Sequence, residues 1–197
     1  MKFSISDKVD SNLCMALTHE FFRCDDAFES FIMVKSLLNK DKNNKHLRYK
    51  AYNHYADFVH HYYEFLMGCY QRDYQSTGPP NYQLADGYVT FHINRVLKIR
   101  PEILERVIPC MSNFGNDEFP EFAPAEFAST FRKHRNIAGG HVSYKRSTEI
   151  RLSDFYNNYH KYIYLMYLES LCWWGRRKQE YPYLEEMSDF ATRIQCC

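Results

Sequence analysis

Residues 131–144 of this sequence, FRKHRNIAGGHVSY, bring together side chains that can handle phosphate. Positions 132 to 135 hold arginine, lysine, histidine and arginine, which fall on one turn of a predicted helix. Asn136 follows them, and His141 comes after a pair of glycines where the helix is expected to end. An arginine can hold phosphate oxygens in a bidentate fork, and a histidine with a pKa near ~6.5 serves as acid or base at neutral pH. This spacing predicts a site that acts on phosphate.

The charge around this stretch is one-sided, although the whole chain is nearly neutral. The formal net charge of +1 excludes a generally basic nucleic-acid coat protein. Between positions 132 and 151, however, eight lysine, arginine or histidine residues face a single acid, Glu149. Such a local excess indicates an anion-binding surface. The residues predicted to contact RNA there are Arg132, Lys133, Tyr144, Lys145 and Arg146.

These residue types suffice for the transphosphorylation of RNA. In that reaction the substrate's own 2′-hydroxyl attacks phosphorus and a 2′,3′-cyclic phosphate forms, so the protein supplies proton transfer and charge stabilisation. The sequence contains no acidic cluster of the kind that holds Mg²⁺ in metal-dependent nucleases. We therefore expect no metal ion and no other cofactor at this site.

Length and composition are those of one globular domain. With 197 residues, of which 45% are hydrophobic and 25% charged, the chain can bury one core and is short for two. Seven cysteines, an odd number without a CxxC pair, predict a reduced, cytoplasmic protein. The sequence has neither a run of about eighteen apolar residues nor a secretory signal, so no membrane partner is expected.

Apolar residues recur at helical spacing along the chain, without strand-like alternation of useful length. Two long helices joined by a short polar loop come first and predict an antiparallel hairpin. We predict an all-α, up-down bundle of four to six helices that forms one domain over residues 1–180. Residues 181–197 form a C-terminal extension, either a short helix or a loose tail. The helices are expected over about 11–38, 47–74, 83–99, 101–107, from near Pro124 to Gly139 or Gly140, and 153–174.

The helix that begins near Pro124 positions the candidate residues. Phe127, Phe131 and Arg135 are four residues apart and share one face. If that face points inward, Arg135 is carried toward the interior or a cleft, where an arginine is costly unless an anion meets it. Arg132 and Lys133 lie off that line and are better placed for solvent or a polyanion.

The string RNIAGGH, from Arg135 to His141, resembles the signature of the HEPN superfamily. That signature is an arginine, a polar residue directly after it that is often asparagine, and a histidine separated from the arginine by four to six residues; five separate Arg135 from His141. The resemblance implies an all-α fold and a metal-independent ribonuclease. Active members are usually dimers whose two motifs face each other across a shared cleft. They act in toxin–antitoxin, abortive-infection, CRISPR-associated and RNA-processing systems.

Carried onto this sequence, the resemblance assigns three catalytic residues. Arg135 stabilises the scissile phosphate, His141 serves as acid or base, and Asn136 orients the site. It also implies an RNA substrate, a homodimer and an antitoxin or defence-system partner protein. Members paired with nucleotidyltransferase antitoxins often have a tyrosine two residues after the histidine. Ser143 occupies that place here and Tyr144 follows, so the sequence departs from that pattern.

Other interpretations of the same residues remain open. His141 could cap a loop, and Arg135 could bind the carbonyls that end its helix. The whole chain could be a non-catalytic HEPN-like module that binds RNA, nucleotide or a partner protein, or a structural bundle with a tyrosine-rich oligomer seam. His54, His60 and His61 suggest a metal site, but polar histidines on a helix surface or bundle seam explain them more simply.

Overall fold

Two long helices at the start of the chain pack against each other as an antiparallel hairpin. Helix α1 spans Lys8–Lys40 and helix α2 spans Lys45–Asp73. Each begins at a capping side chain, Asp7 or Asn44, which accepts hydrogen bonds from backbone N–H groups of the first turn. The predicted hairpin is therefore confirmed, and its helices extend slightly beyond the apolar stripes that predict them.

The computed structural model describes residues 2–107, 119–138, 151–174, 181 and 184–195, and every regular element within them is a helix. The prediction of an all-α fold is confirmed. The helices that follow the hairpin are α3 Tyr82–Lys98, α4 Arg100–Val107, α5 Phe127–Ala138, α6 Leu152–Trp174 and α7 Leu184–Gln195.

The predicted number of helices, four to six, is too low, because the described residues contain seven. The separate helix α4 is predicted, because Pro101 has no backbone N–H and the helical ladder is interrupted near Ile99; the additional helix is α7. Within the extension, residues Leu184–Gln195 form α7 rather than a loose tail.

Helix α5 begins three residues later than its sequence predicts. Pro124 lies before the helix, and its carbonyl accepts the backbone N–H of Phe127 at 2.9 Å in a turn. The described part of α5 ends at Ala138. The predicted helix end at Gly139 or Gly140 lies outside the described residues.

The core between these helices is built largely from aromatic rings. Phe28, Phe58 and Tyr167 meet with ring centroids between 4.7 and 5.5 Å apart, distances at which aromatic pairs attract each other. Tyr62 is completely buried and keeps its hydroxyl satisfied by Ser170 of α6 at 3.2 Å. The many tyrosines of the sequence therefore lie in the interior as well as on the surface. Buried tyrosines of α2 pack against α5.

Cysteines and apolar segments bear on the expected environment of the chain. Cys14, Cys24 and Cys69 carry free thiols. Burial raises the pKa of the Cys24 and Cys69 thiols well above the usual range, so both stay protonated and behave as small apolar side chains. No helix within the described ranges is long and apolar enough to cross a membrane.

Candidate active site around Arg135

Two buried phenylalanines fix the rotation of α5 about its axis. Phe127 and Phe131 have 1% and 0% of their surface exposed, and their rings lie 5.9 Å apart. The Phe131 ring also meets Tyr63 of α2 edge-on at 5.2 Å. Because Arg135 lies one turn further on the same face, its side chain emerges where this aromatic cluster ends, against α2. The inward orientation considered for this face is confirmed.

The anion that meets Arg135 is a carboxylate of the protein itself. Its guanidinium forms an ion pair with Glu64 of α2, and its Nη1 donates to Oδ1 of Asn136 at 2.9 Å. The guanidinium carbon also lies 5.8 Å from the centre of the Tyr63 ring. The Arg135 and Glu64 side chains are 34% and 31% exposed, and pairs this open to solvent stabilise a protein by only about 0.2–1 kcal/mol. A phosphate group can therefore compete with Glu64 for Arg135.

A groove of about 370 Å³ runs beside this ion pair, between α1, α2 and α5. Its charged and titratable lining consists of Glu20, Arg23, His60, Glu64 and Arg135. Two arginines face two carboxylates, so the described part of the groove has no net positive charge while the histidine is neutral. Four of the eight residues that make up the basic excess of the sequence come after α5 along the chain, from His141 to Arg151.

Glu20 is held as an anion at one side of this groove. The Nδ1 atom of His61 lies 2.7 Å from its Oε1, and Arg23 lies 3.6 Å from its other oxygen. Burial by itself raises the pKa of Glu20, but the hydrogen bond and electrostatic attraction of His61 outweigh it, with a further contribution from Arg23. The pKa of Glu20 therefore lies below its usual value, and this carboxylate is a poor proton donor at neutral pH.

His60 is a polar residue of the groove whose position the sequence does not reveal. It lies one helical turn before Glu64 on α2, and its buried Nδ1 has no hydrogen-bond partner among the described residues. A histidine and a glutamate four residues apart on one helix face are the signal that could have drawn attention to it. His60 lines the groove between α1 and α2, which agrees with the interpretation of a histidine at a bundle seam, and it shares this groove with Arg135.

The position of Arg132 off the apolar line suggests that its side chain is free in solvent, but the structure shows that it is paired. It forms a bidentate pair with Asp86 of α3, with N–O distances of 2.8 and 2.9 Å, and lies over the Tyr82 ring at 5.5 Å. The reason is that α3 packs beside α5 and brings a carboxylate to it, which the spacing within α5 cannot show. RNA contact by Arg132 stays a prediction and requires Asp86 to be displaced. Lys133 is exposed, as expected.

His134 belongs to the core rather than to the basic surface. It is 5% exposed, and its ring lies 4.3 Å from that of Phe155 on α6. Burial lowers the pKa of His134 to about 4, which the nearby Asp154 only partly opposes. The side chain is therefore uncharged at neutral pH. The predicted cationic turn consists of one exposed lysine and two arginines that are each paired with a carboxylate.

The remaining predicted site residues lie outside the described residues: His141, Tyr144, Lys145 and Arg146. The structure therefore brings together Arg135 and Asn136 with Glu64, while the roles of His141 and of the later basic residues stay predictions. Within the described ranges, no group of three or more histidine, cysteine, aspartate or glutamate side chains is arranged to hold a metal ion.

Comparisons of this chain with protein-family models, with curated proteins and with solved structures find no match. What the site does must therefore be argued from its own residues and geometry.

Proposed function

We propose that this chain is a metal-independent RNA endonuclease of the HEPN type. The proposal rests on Arg135, whose half-exposed guanidinium is carried by a rigid helix to the edge of a groove and is held there by a weak, replaceable ion pair. Arg135 and Asn136 are the first two residues of the RNIAGGH string, and His141 follows six positions after Arg135 in the sequence. The protein acts in the cytoplasm as part of a toxin or antiphage-defence system.

The reaction needs the guanidinium group of Arg135 and two proton transfers. A scissile phosphate replaces Glu64 on Arg135, and the guanidinium stabilises the charge that grows on the pentavalent phosphorus. The 2′-hydroxyl loses its proton to a base and its oxygen attacks phosphorus. The bond from phosphorus to the 5′-oxygen breaks, and that oxygen takes a proton from an acid. His141 performs one of these transfers, and the products are a 2′,3′-cyclic phosphate and a 5′-hydroxyl.

Asn136 orients the arginine in this scheme. Its side-chain oxygen accepts from Nη1 of Arg135 at 2.9 Å, while Glu64 occupies the other side of the guanidinium. The fork is therefore fixed on one side and open to exchange on the other. Such preorganisation is what lets a charged group stabilise a transition state without first reorganising.

The active form is a homodimer. One RNIAGGH string supplies a single arginine and a single histidine, whereas the reaction needs both an acid and a base. Two copies related by a two-fold axis supply both in one cleft. Light scattering on the purified chain checks this, and a monomer at micromolar concentration contradicts it.

Cleavage of single-stranded RNA in EDTA tests the proposal. We expect Arg135→Ala and His141→Ala each to slow cleavage by about 10²-fold or more, the usual loss when a transition-state donor is removed. Arg106→Ala, an exposed arginine on α4, and His54→Ala on α2 serve as matched controls and should cleave as the wild type does. Equal cleavage by all four variants would rule out the proposed site.

A non-catalytic RNA-binding module is the second candidate, and one observation favours it. Both arginines of the described site, Arg132 and Arg135, are paired with carboxylates. RNA phosphates can replace these carboxylates, and such an exchange binds RNA without any catalytic step. This alternative predicts RNA affinity that falls steeply with salt, without cleavage by the wild type. The same assay with intact RNA recovered at every time point would favour it.

A further inference from the structure

A second cavity, of about 310 Å³, lies between α2, α3 and α6. Its volume is at the lower end of the range of small-molecule sites, roughly 300–1,000 Å³. His92 and Arg95 of α3 and Glu169 of α6 are among the polar groups that line it, and none of its polar residues belongs to the groove at Arg135. It is therefore a separate candidate site.

The polar groups of this cavity leave a defined hydrogen-bonding pattern. Arg95 Nη2 donates to Oε1 of Glu169 at 2.9 Å and lies 3.3 Å from Nδ1 of His92. Burial lowers the pKa of His92 to about 4, although the Glu169 charge opposes this, so the ring is neutral at pH 7. Because its Nδ1 accepts from Arg95, its proton resides on Nε2.

That proton has no acceptor within the described residues. The Nε2 atom of His92 is buried without a hydrogen-bond partner, and Oε2 of Glu169 is 3.8 Å away, beyond hydrogen-bonding distance. Buried donors in folded proteins are nearly always satisfied, by protein, water or ligand. Together the two atoms place one donor and one acceptor side by side in a largely buried setting, where protein atoms cover Nε2 and must shift for a ligand to reach it.

Aromatic rings line the same cavity and remain open to solvent. Phe91 of α3 is 68% exposed and Trp173 of α6 is 66% exposed. Exposed rings beside a groove are the means by which proteins stack nucleic-acid bases. The cavity offers little free positive charge for a phosphate, because Arg72 and Arg95 are paired with Asp10 and Glu169, whose side chains are only 4% and 11% exposed, in contrast to the open Glu64.

We propose that this cavity binds a nucleobase. The ring of the base stacks on Phe91 and Trp173, and its hydrogen-bonding edge, which has adjacent donors and acceptors, meets Oε2 of Glu169 and Nε2–H of His92. The phosphate and sugar remain outside. This proposal does not depend on RNA cleavage at Arg135. The base belongs either to a free nucleoside or to an RNA strand, and the experiment separates these two sources.

Tryptophan fluorescence tests this directly, since the only two tryptophans of the chain, Trp173 and Trp174, both line the cavity. The full-length protein is titrated separately with adenosine, guanosine, cytidine, uridine, a single-stranded RNA oligonucleotide and ribose 5-phosphate. We expect saturable quenching by nucleosides, or by RNA alone if the site takes the base of a strand, and none by ribose 5-phosphate. No saturable change with any nucleoside or RNA overturns the proposal, and so does a saturable response to ribose 5-phosphate.

Two variants and two controls make the assignment specific. Phe91→Ala should weaken the binding roughly 5- to 150-fold, the range measured when a stacked aromatic ring is removed. Glu169→Gln should weaken it as well, because the amide oxygen stays on Arg95 and an NH2 donor then replaces the Oε2 acceptor. Phe122→Ala and Arg106→Ala change exposed side chains that do not line the cavity, and neither should change this binding. Equal affinity of the Phe91→Ala and Phe122→Ala proteins contradicts the proposal.

Discussion

At the scale of single residues, Arg135 is held less firmly by its ion pair than the neighbouring Arg132. The neighbouring Arg132 is held by a bidentate pair with Asp86 in which both side chains are about a quarter exposed. Arg135 pairs with Glu64 at a more open position, and only its contact with Asn136 comes from its own helix. Of the two, Arg135 is the arginine that an incoming phosphate can engage with the smaller loss.

Replacing Glu64 tests whether this carboxylate competes with RNA. Glu64→Gln keeps the shape of the side chain but removes its charge, so Arg135 should bind phosphate more readily. We expect RNA affinity to rise by up to about fivefold, since an exposed ion pair is worth about 0.2–1 kcal/mol. Fluorescence anisotropy with labelled RNA measures it.

The control for that change is Glu102→Gln on α4, which removes an equally negative but distant side chain that is exposed to solvent. It corrects for the general effect of one added positive charge on RNA affinity. If Glu64→Gln binds RNA no better than Glu102→Gln, Glu64 does not guard Arg135.

Contacts between side chains of different helices could not be predicted from the sequence. The four-residue spacing correctly predicts that Phe127, Phe131 and Arg135 share one face of α5, and the structure shows that this face points inward. It cannot predict that Asp86, 46 positions before Arg132, lies opposite it, because that depends on how α3 packs against α5. Only the three-dimensional arrangement identifies these partners.

At the scale of elements, the packing of its buried phenylalanines fixes the position of α5. The Phe131 ring packs against Tyr63 and Tyr62 of α2 and Phe155 of α6, so it joins three helices. Arg135 extends from this anchor by one turn. The accuracy of the site therefore depends on core packing several ångströms away from the chemistry.

Truncating that anchor should destabilise the protein. Phe131→Ala removes a fully buried ring, and such changes cost about 3–5 kcal/mol of the free energy of unfolding. Phe122→Ala, at an exposed position, should change it by no more than about 0.5 kcal/mol. Urea unfolding followed by circular dichroism compares the two. Similar midpoints for both variants would show that α5 is not anchored through Phe131.

Helix boundaries were largely predictable because their causes are local. Asp7 and Asn44 cap the first two helices through their own side chains, and the apolar stripes that follow are regular. Pro124 illustrates the limit, since a proline suits both the first turn of a helix and the turn before it. The carbonyl of Pro124 accepts from Phe127, which decides in favour of the second.

At the scale of the whole molecule, three buried histidines make stability depend on pH. His92, His134 and His160 lie on three different helices, and burial lowers the pKa of each to about 4. In the unfolded chain these side chains take up protons near pH ~6.5. The unfolded state therefore binds more protons below that pH, and the stability that is fully present above it is lost as the pH falls toward 4.

We expect the free energy of unfolding to fall between pH 7 and pH 5, by on the order of 1 kcal/mol per histidine. Carboxylates with lowered pKa values, such as Asp7 and Asp10, contribute to the loss only at lower pH. Urea unfolding at the two pH values measures the change, and His134→Phe should show a smaller one. Stability that is equal or higher at pH 5 would contradict this account.

The most direct test of the central claim is the identity of the RNA ends that the protein leaves. Single-stranded RNA is incubated in EDTA with the wild type and with Arg135→Lys, which keeps the charge but loses the fork. Mass spectrometry of the fragments should show 2′,3′-cyclic phosphate and 5′-hydroxyl ends with the wild type and far fewer with Arg135→Lys. Intact RNA with the wild type, or the same cyclic ends in equal amount with Arg135→Lys, would contradict the assignment of Arg135 as the group that stabilises the transition state.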